Sequence, residues 1–391
     1  MNNTFFNTQL QHIGTRIPTI KGNTRLHLDR NEQTEDVEPA LKRKVLERLM
    51  QTEWNRYPST DHSDIVQQVA QYCGLAPENI VLSAGSASMI TTLLNHFALN
   101  GKDLVITQPS YSLFDYHCKT NNIPYQPWLL NSDLQYDFDT LPALTANSVL
   151  IGTAPNNPVG NTISLEMLEQ LLLRNPEALI MVDGVYCEFS TTDFTPLMSK
   201  YANLMILRSF SKAFPIAGLR LGYLCAAPKV AAMVQKLVLQ FSLTEFSLVF
   251  AREVLFDPSF MASSKKRVRR IIAERERLFH LIQEQYHHTN LEVFPSEGNF
   301  LLMRLKDEAL FEKLMAALTA SGIKILNTSG FALLNQTFRV SIGEPHENEQ
   351  FLSCLAATLS VNPQAPHGNL FDVVHLPFQF SEQLNTTIGL N

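Results

Sequence analysis

The sequence has few cysteines, and their arrangement argues against two classes of protein. The five are odd in number and scattered, and no two have the Cys-x-x-Cys spacing. A disulfide framework needs an even set, and a cysteine zinc site needs closely spaced pairs. The pattern therefore favours a reducing compartment. The cysteines are Cys73, Cys118, Cys187, Cys225 and Cys354.

An excess of positive charge and long apolar runs are also absent. The 31 Lys and Arg residues stand against 37 Asp and Glu, a net charge of −6, so no global basic field attracts nucleic acid or an anionic membrane. No apolar run approaches the roughly 18 residues that span a bilayer. The first residues lack the basic and apolar regions of a signal peptide. We expect a cytoplasmic protein with no nucleic-acid and no membrane partner.

The chain is long enough for more than one folded unit. At roughly 100–200 residues per domain, 391 residues predict two or three units. Hydrophobic residues make up 45% and charged residues 17%, which supports large cores and excludes a disordered chain.

Short β-type runs alternate with helical patterns from about residue 62 onward. Strands that alternate with helices indicate an α/β unit with a mostly parallel sheet, whose strands are buried on both faces and are therefore continuously apolar. The runs are 80–82, 104–106, 149–151, 179–182, 204–207 and 222–224.

The pattern changes after this unit. A long helical stretch covers roughly 228–285, and Pro258 predicts that it is two helices. Its basic cluster between 265 and 277 contains Glu274 and Glu276, which favours a solvated helix face over a nucleic-acid site. The remainder predicts a smaller α+β unit, with strands at 299–303, 323–326 and 337–341 and helices at 308–321 and 347–359.

One segment, 209–222, carries the strongest chemical signal. Lys212 stands among small and apolar residues, where desolvation disfavours the ammonium form and makes a nucleophilic amine accessible. Ser209, Ser211 and Arg220 supply two hydroxyls and a guanidinium, which suit a phosphate. A reactive lysine beside a phosphate site is what pyridoxal phosphate (PLP) requires. An ordinary lysine in a strand-to-loop connection has a similar local sequence.

Three further segments follow predicted strands, where open α/β sheets bind ligands. Asp183 ends the run 179–182, and we interpret it as a partner for a pyridine nitrogen or, alternatively, as a helix cap. Tyr186 and Asn157 are candidates for contact with a phenolic oxygen. Gly85, Ser86 and Ala87 precede a helix whose N–H groups and dipole suit a phosphate, although a simple N-cap explains them equally.

The chain contains a series of short motifs in a fixed order. They are Arg56-Tyr57-Pro58, Pro109-Ser110-Tyr111-Ser112, Pro155-Asn156-Asn157-Pro158, Asp183 with Tyr186, Ser209-Phe210-Ser211-Lys212-Ala213-Phe214, Gly218-Leu219-Arg220 and Phe338-Arg339-Val340. Taken in order, these motifs resemble the PLP-dependent class I/II aminotransferases, and most closely the histidinol-phosphate aminotransferase branch, over about residues 25–360. The resemblance implies an aspartate-aminotransferase-like fold (PLP fold type I): a large domain with a mostly parallel seven-stranded sheet, and a smaller α+β C-terminal domain.

The resemblance also implies domain bounds and the roles of individual residues. It places an N-terminal arm and helix at 1–50, the PLP-binding domain at 51–250, the small domain at 251–361, and a tail of unknown role at 362–391. Catalytic roles fall to Lys212, which carries the cofactor, and to Asp183 and Tyr186. The implied cofactor contacts are Gly85, Ser86, Ala87, Tyr111, Asn157, Asp183, Tyr186, Ser209, Ser211, Lys212, Arg220 and, from a neighbouring subunit of a homodimer, Tyr57. The implied substrate contacts are Arg339, Asn31 and Lys324, with no metal.

The implied activity is transfer of an amino group between an amino acid or related amine and a 2-oxo acid. Two alternatives stay open: a decarboxylase similar to threonine-phosphate decarboxylases, and a non-catalytic PLP-binding module. Three departures from the family pattern concern the substrate: Gly184-Val185 between Asp183 and Tyr186, Ala87-Ser88 after the phosphate loop, and the arm 28–33.

A fourth departure concerns the far end of the substrate. Leu326 stands where histidinol-phosphate aminotransferases have an arginine for the substrate phosphate. A leucine offers no donor, and Lys324 is a poor substitute for a bidentate arginine. We therefore expect histidinol phosphate to be a weak substrate or none.

Overall fold

The computed structural model describes residues 7–15 and 24–359. The tail 362–391, for which the sequence predicts no role, lies outside these residues. Within them the strands form a seven-stranded sheet, a four-stranded sheet and a two-stranded pairing.

The first elements are β1 (Leu26–His27), α1 (Pro39–Leu49) and α2 (Ser63–Cys73). Helix α1 begins at its proline because the first helical position needs no N–H donor. Helix α2 ends at Gly74, whose φ of +66° is the left-handed conformation that stops a helix.

The seven-stranded sheet has the strand order β2-β8-β7-β6-β5-β3-β4. Strand β8 is antiparallel to both of its neighbours, and the other strands are mutually parallel. The sheet and its helices comprise β2 (Ile80–Ser83), α3 (Ser86–Leu99), β3 (Asp103–Gln108), α4 (Ser112–Thr120), β4 (Gln126–Leu129), β5 (Ser148–Thr153), α5 (Leu165–Arg174), β6 (Leu179–Asp183), β7 (Leu204–Ser209) and β8 (Gly222–Ala226).

Both faces of this sheet are buried. Ile80 and Leu82 belong to one hydrophobic core and Val81 to the other, because successive side chains of a strand point to opposite faces. All six predicted apolar runs lie in its strands. The predicted α/β architecture with a mostly parallel seven-stranded sheet is confirmed.

The predicted long helical stretch is divided into α6 (Pro228–Gln235), α7 (Glu245–Phe250) and α8 (Pro258–Tyr286). Pro258 is the first residue of α8, so the predicted interruption is confirmed. The basic cluster is less solvated than we expected, since Arg267 and Arg275 are buried. Arg267 forms an ion pair with Glu35 at 2.8 Å, and Arg275 forms one with Glu276 at 2.7 Å.

The remaining elements form the second unit. They are β9 (Leu291–Val293), β10 (Phe300–Leu305), α9 (Glu308–Ala320), β11 (Ile323–Lys324), β12 (Leu326–Asn327), β13 (Thr337–Ser341) and α10 (Pro345–Leu359). Strands β12, β13, β10 and β9 form an antiparallel sheet in that order. The predicted strand 323–326 is split, because β11 pairs with β1 and β12 pairs with β13. The pairing of β1 joins the N-terminal arm to this unit.

No helix in residues 7–15 or 24–359 combines the length and the apolar character needed to cross a membrane.

Candidate active site

A cavity of about 460 Å³ lies at the edge of the seven-stranded sheet where its parallel strands end. The loops that follow β5, β6 and β7 reach it, as does the N-terminus of α3. Strand β13 and the N-terminal arm close it from the side of the second unit. Its walls include Ser86, Ala87, Tyr111, Asn157, Asp183, Tyr186, Ser209, Ser211, Lys212, Arg220 and Arg339.

Lys212 lies in the loop after β7 and faces the cavity. Its side chain is half-buried, and desolvation, with a smaller contribution from the positive charge of Arg339, lowers the pKa of Lys212 to about 8. Nζ donates a hydrogen bond to the carbonyl oxygen of Arg30 at 2.9 Å. The side-chain amide of Gln33 donates to the carbonyl oxygen of Lys212 at 2.7 Å. The arm therefore holds both ends of this residue.

Asp183 is the last residue of β6 and is 1% exposed. Burial raises its pKa from the ordinary value of 3.8 to about 7, although the N–H of Val185, which donates to Oδ1 at 3.3 Å, acts in the opposite direction. The helix-cap alternative is wrong, since the short 3₁₀ helix that follows has Tyr186 as its N-cap. Asp183 is thus a buried carboxylate at the cavity wall.

The residues that the sequence predicts for a phosphate lie around the N-terminus of α3. Gly85 is the N-cap of this helix, and a Cβ at Gly85 would lie 2.5 Å from Nη2 of Arg220. Its φ of +79° favours glycine, and the absence of a Cβ lets the guanidinium pack on this backbone. Ser209 ends β7, and its hydroxyl accepts the N–H of Ser211 at 3.1 Å. The helix dipole, two hydroxyls and one guanidinium favour an anion at this end of the cavity.

Tyr186 and Asn157 lie on the wall between Asp183 and Arg339. Burial raises the pKa of Tyr186 to about 12, so its hydroxyl is protonated. The side-chain oxygen of Asn157 accepts a hydrogen bond from Nη1 of Arg339, which leaves the amide N–H groups of Asn157 as donors.

Arg339 is buried in β13 and has no acidic partner at ion-pair distance among the described residues. Its guanidinium donates to Asn157 and to the carbonyl oxygen of Asp29, while within the described structure its Nε has no partner. Burial lowers the pKa of Arg339. A buried cation without a counterion is costly, so this group suits a bound carboxylate.

Four predicted residues lie outside the cavity wall, and one of them is Gly85, the N-cap of α3. Lys324 forms an ion pair with Asp29 at 3.3 Å. Asn31 is buried behind Tyr186 and donates to its hydroxyl at 3.0 Å. Tyr57 is 79% exposed and stacks on Phe241, with ring centroids 4.5 Å apart. The single chain does not bring Tyr57 to the site.

The cavity also has wall residues that the sequence did not indicate. Arg30 and Glu32 flank Asn31 in the arm, and Thr153 is the last residue of β5, next to Asp183 in the sheet. The position of Thr153 at a strand end is the same signal that identified Asp183. For the two arm residues the family resemblance indicated only the segment 28–33, and the sequence contains no signal for either residue by itself.

The family of class I and II aminotransferases matches residues 23–355, most of the chain. The chain belongs to this family. This aminotransferase is similar to a histidinol-phosphate aminotransferase of Pyrococcus furiosus, with 33% identity over 338 residues that cover 86% of this chain and 93% of the relative. The predicted family and enzyme class are confirmed.

Solved structures support the fold. The histidinol-phosphate aminotransferase of Sinorhizobium meliloti, in complex with pyridoxal-5'-phosphate, has a TM-score of 0.76 and 20% identity, covering 91% of this aminotransferase and 98% of that chain. The L-threonine-O-3-phosphate decarboxylase of Porphyromonas gingivalis has a TM-score of 0.70 and 22% identity, covering 86% and 99%. The aspartate-aminotransferase-like fold is confirmed, and the enzyme is PLP-dependent as its family is.

Proposed function

We propose that this enzyme transfers an amino group between an amino acid or related amine and a 2-oxo acid, with Lys212, Asp183 and Arg339 as its central residues. The observation that carries the proposal is their placement in one cavity: a lysine of lowered pKa, a buried carboxylate, and a buried arginine without a counterion. These three groups suit, respectively, an imine-forming amine, a protonated ring nitrogen and a substrate carboxylate.

The residues present fit PLP in charge and in position. Ser209, Ser211 and Arg220, with the first N–H groups of α3, would hold the phosphate. Asp183 would hold the pyridine nitrogen at the opposite end, with Thr153, whose hydroxyl is buried without a partner in the described structure, beside it. Tyr111 would stack on the ring, and Asn157 and Tyr186 would donate to the phenolic oxygen. When bound, this cofactor supplies an electron sink for the substrate Cα.

The chain's own residues then orient the substrate and move its proton. Arg339 binds the α-carboxylate with its guanidinium and fixes the direction of the substrate. Lys212 faces the cavity, and its Nζ would accept the Cα proton and return it as a general acid, a role that suits a lysine of lowered pKa. With the cofactor bound, Asp183 would be the carboxylate that pairs with the pyridine nitrogen.

A two-step spectroscopic experiment tests the function. The purified enzyme with its cofactor is mixed with single amino acids and amines, and the visible band should disappear as the amino group moves to the cofactor. A 2-oxo acid should then restore the band. Release of carbon dioxide in place of this reversible change would favour the decarboxylase alternative, and a band that no amine alters would favour the non-catalytic one.

We also infer that the working unit is a homodimer in which Tyr57 reaches the partner's phosphate site. The exposed aromatic pair that Tyr57 forms with Phe241 supports this. Mixing inactive Lys212→Ala with weakened Tyr57→Ala and allowing subunits to exchange should restore about a quarter of wild-type activity, because a hybrid dimer contains one intact site. Mixtures without any gain, or a fully active monomer, would contradict the inference.

The leucine at position 326 predicts a low kcat/KM for histidinol phosphate. Leu326 lies on the cavity wall, next to Arg339 across the strand pair β12–β13, and offers no donor to a phosphate. Leu326→Arg should raise kcat/KM for histidinol phosphate by about 10- to 100-fold, the value of one charged hydrogen bond. Steady-state assays with histidinol phosphate and neutral, aromatic and basic amino acids measure this.

The matched control is Leu326→Met, which keeps the side chain apolar. It should leave kcat/KM unchanged both for histidinol phosphate and for the amino acids. If the wild-type enzyme prefers histidinol phosphate by orders of magnitude, the interpretation of Leu326 is wrong.

A further inference from the structure

Asn31 is a buried residue that connects the N-terminal arm to strand β13 and to the segments before β10 and after β6. It is 1% exposed and has a φ of +54°, in the left-handed region that asparagine tolerates better than most residues. Its backbone oxygen accepts a hydrogen bond from the side-chain amide of Asn299 at 3.1 Å. Its backbone N–H and its side chain are bound by Ser341 and Tyr186. Every polar group of Asn31 thus has a partner.

The bonds to Ser341 fix the orientation of the Asn31 amide. The Ser341 hydroxyl oxygen accepts the backbone N–H of Asn31 at 2.9 Å, and it lies 2.7 Å from Oδ1 of the same residue. Since Oδ1 can only accept, the single hydroxyl proton of Ser341 is donated to it. The amide nitrogen is therefore directed away from Ser341 and toward Tyr186, to which it donates at 3.0 Å.

This direction determines what the Tyr186 hydroxyl can do. Because its oxygen accepts the Asn31 N–H, its own proton must go elsewhere, and none of the hydrogen bonds within residues 7–15 and 24–359 gives that proton an acceptor. Tyr186 lines the cavity. The hydrogen bonds thus run in one direction, from the Asn31 backbone through Ser341 and the Asn31 amide to Tyr186, and end at the cavity.

We propose that Asn31 is a positioning residue that makes Tyr186 a hydrogen-bond donor into the cavity, with Ser341 fixing the direction of the Asn31 amide. The inference rests on the role proposed above for Tyr186 as a donor to the phenolic oxygen. Ser341 lies two positions from Arg339 on β13, and alternate residues of a strand share a face, so the same strand presents the carboxylate-binding arginine.

The decisive variant is Asn31→Asp. A carboxylate has the size of the amide but can only accept, so it takes the Tyr186 proton and turns the hydroxyl away from the cavity. A donor to the phenolic oxygen favours its anionic form, so losing the donor should raise the pH midpoint of the visible band of the cofactor-loaded enzyme by about one unit. We expect kcat to fall about tenfold, with KM for the amine within about threefold of wild type.

Tyr186→Phe and the double variant separate this inference from the function on which it rests. Tyr186→Phe should shift the pH midpoint of the visible band as Asn31→Asp does. A variant with both changes should shift it no further, because each change removes the same donor. A shift with Tyr186→Phe but none with Asn31→Asp overturns the role of Asn31 alone. No shift with either variant overturns the role of Tyr186 as well. A larger shift in the double variant than in either single variant overturns the proposed connection.

Two more variants complete the test. Ser341→Ala removes the proton that orients the amide, so it should shift the midpoint in the same direction by a smaller amount; if Asn31→Asp does not fold, absence of this shift overturns the proposal. Asn122→Asp is the matched control, since Asn122 is exposed, has a φ of +53° and is not part of the cavity wall. A shift of similar size in the control overturns the proposal.

Discussion

Lys212→Ala is expected to lower kcat/KM by about 10⁴-fold or more, the upper range for loss of a proton-transferring group, and to abolish covalent attachment of the cofactor. The reason is that one nitrogen has two tasks: it attaches the cofactor and it moves the substrate proton. Borohydride reduction of the wild-type enzyme, followed by peptide mass analysis, should locate the label on Lys212. The variant should take up no label at any lysine.

Lys200→Ala is the matched control for this experiment. Lys200 is an exposed lysine that forms an ion pair with Glu169 at 3.1 Å, away from the cavity. Its loss should leave labelling and activity unchanged. A label on a lysine other than Lys212, or an alanine variant that retains a substantial fraction of activity, would contradict the assignment.

The large sheet was predictable because its strands are buried on both faces. Continuous apolar runs such as 149–151 and 204–207 are the direct consequence of that burial. Strand β4 was not predicted, since it lies at the sheet edge, contains Pro127 and buries only Trp128. Strand β1 has two residues, too short to give a periodic pattern. The predicted strand 323–326 is divided between β11 and β12 because they pair with different strands, which the local sequence does not show.

The site was predictable to the extent that its residues follow strands. Lys212, Asp183 and Asn157 stand just after or at the ends of apolar runs, so local sequence placed them at one edge of the sheet. Asn31 and Arg339 reach the site from distant parts of the chain, and only the family resemblance indicated them. The direction of the Asn31 amide depends on Ser341, 310 positions away, and no local pattern encodes such a contact.

Asp183→Asn is expected to have opposite effects on catalysis and on the stability of the cofactor-free chain. Removing one partner of a buried charge pair costs roughly 3–5 kcal/mol, so kcat/KM should fall by about 200- to 5,000-fold. Without the cofactor, however, the carboxylate lacks that partner. Asparagine has nearly the same shape and no charge, so the cofactor-free variant should be more stable than the cofactor-free wild type above neutral pH.

The pH dependence of this stability follows from the raised pKa of Asp183. Burial takes the pKa from 3.8 to about 7, so the folded chain holds the proton more tightly than the unfolded chain does. The stabilisation by the protonated carboxyl is complete below about pH 3.8 and is lost as the pH rises through about 7. The stability advantage of Asp183→Asn should therefore grow by about 2 kcal/mol between pH 5.5 and pH 8.

Urea unfolding of both cofactor-free proteins at these two pH values measures the difference, and other titrating groups cancel because both chains share them. Asp133→Asn, at an exposed turn, is the matched control and should show neither effect. If Asp183 serves only the structure, its replacement should lower stability and activity together at every pH. A carboxylate held for the ring nitrogen stabilises the enzyme with its cofactor and destabilises the cofactor-free chain. A cofactor-free Asp183→Asn variant that is less stable than the wild type at pH 8 would therefore refute this assignment of Asp183.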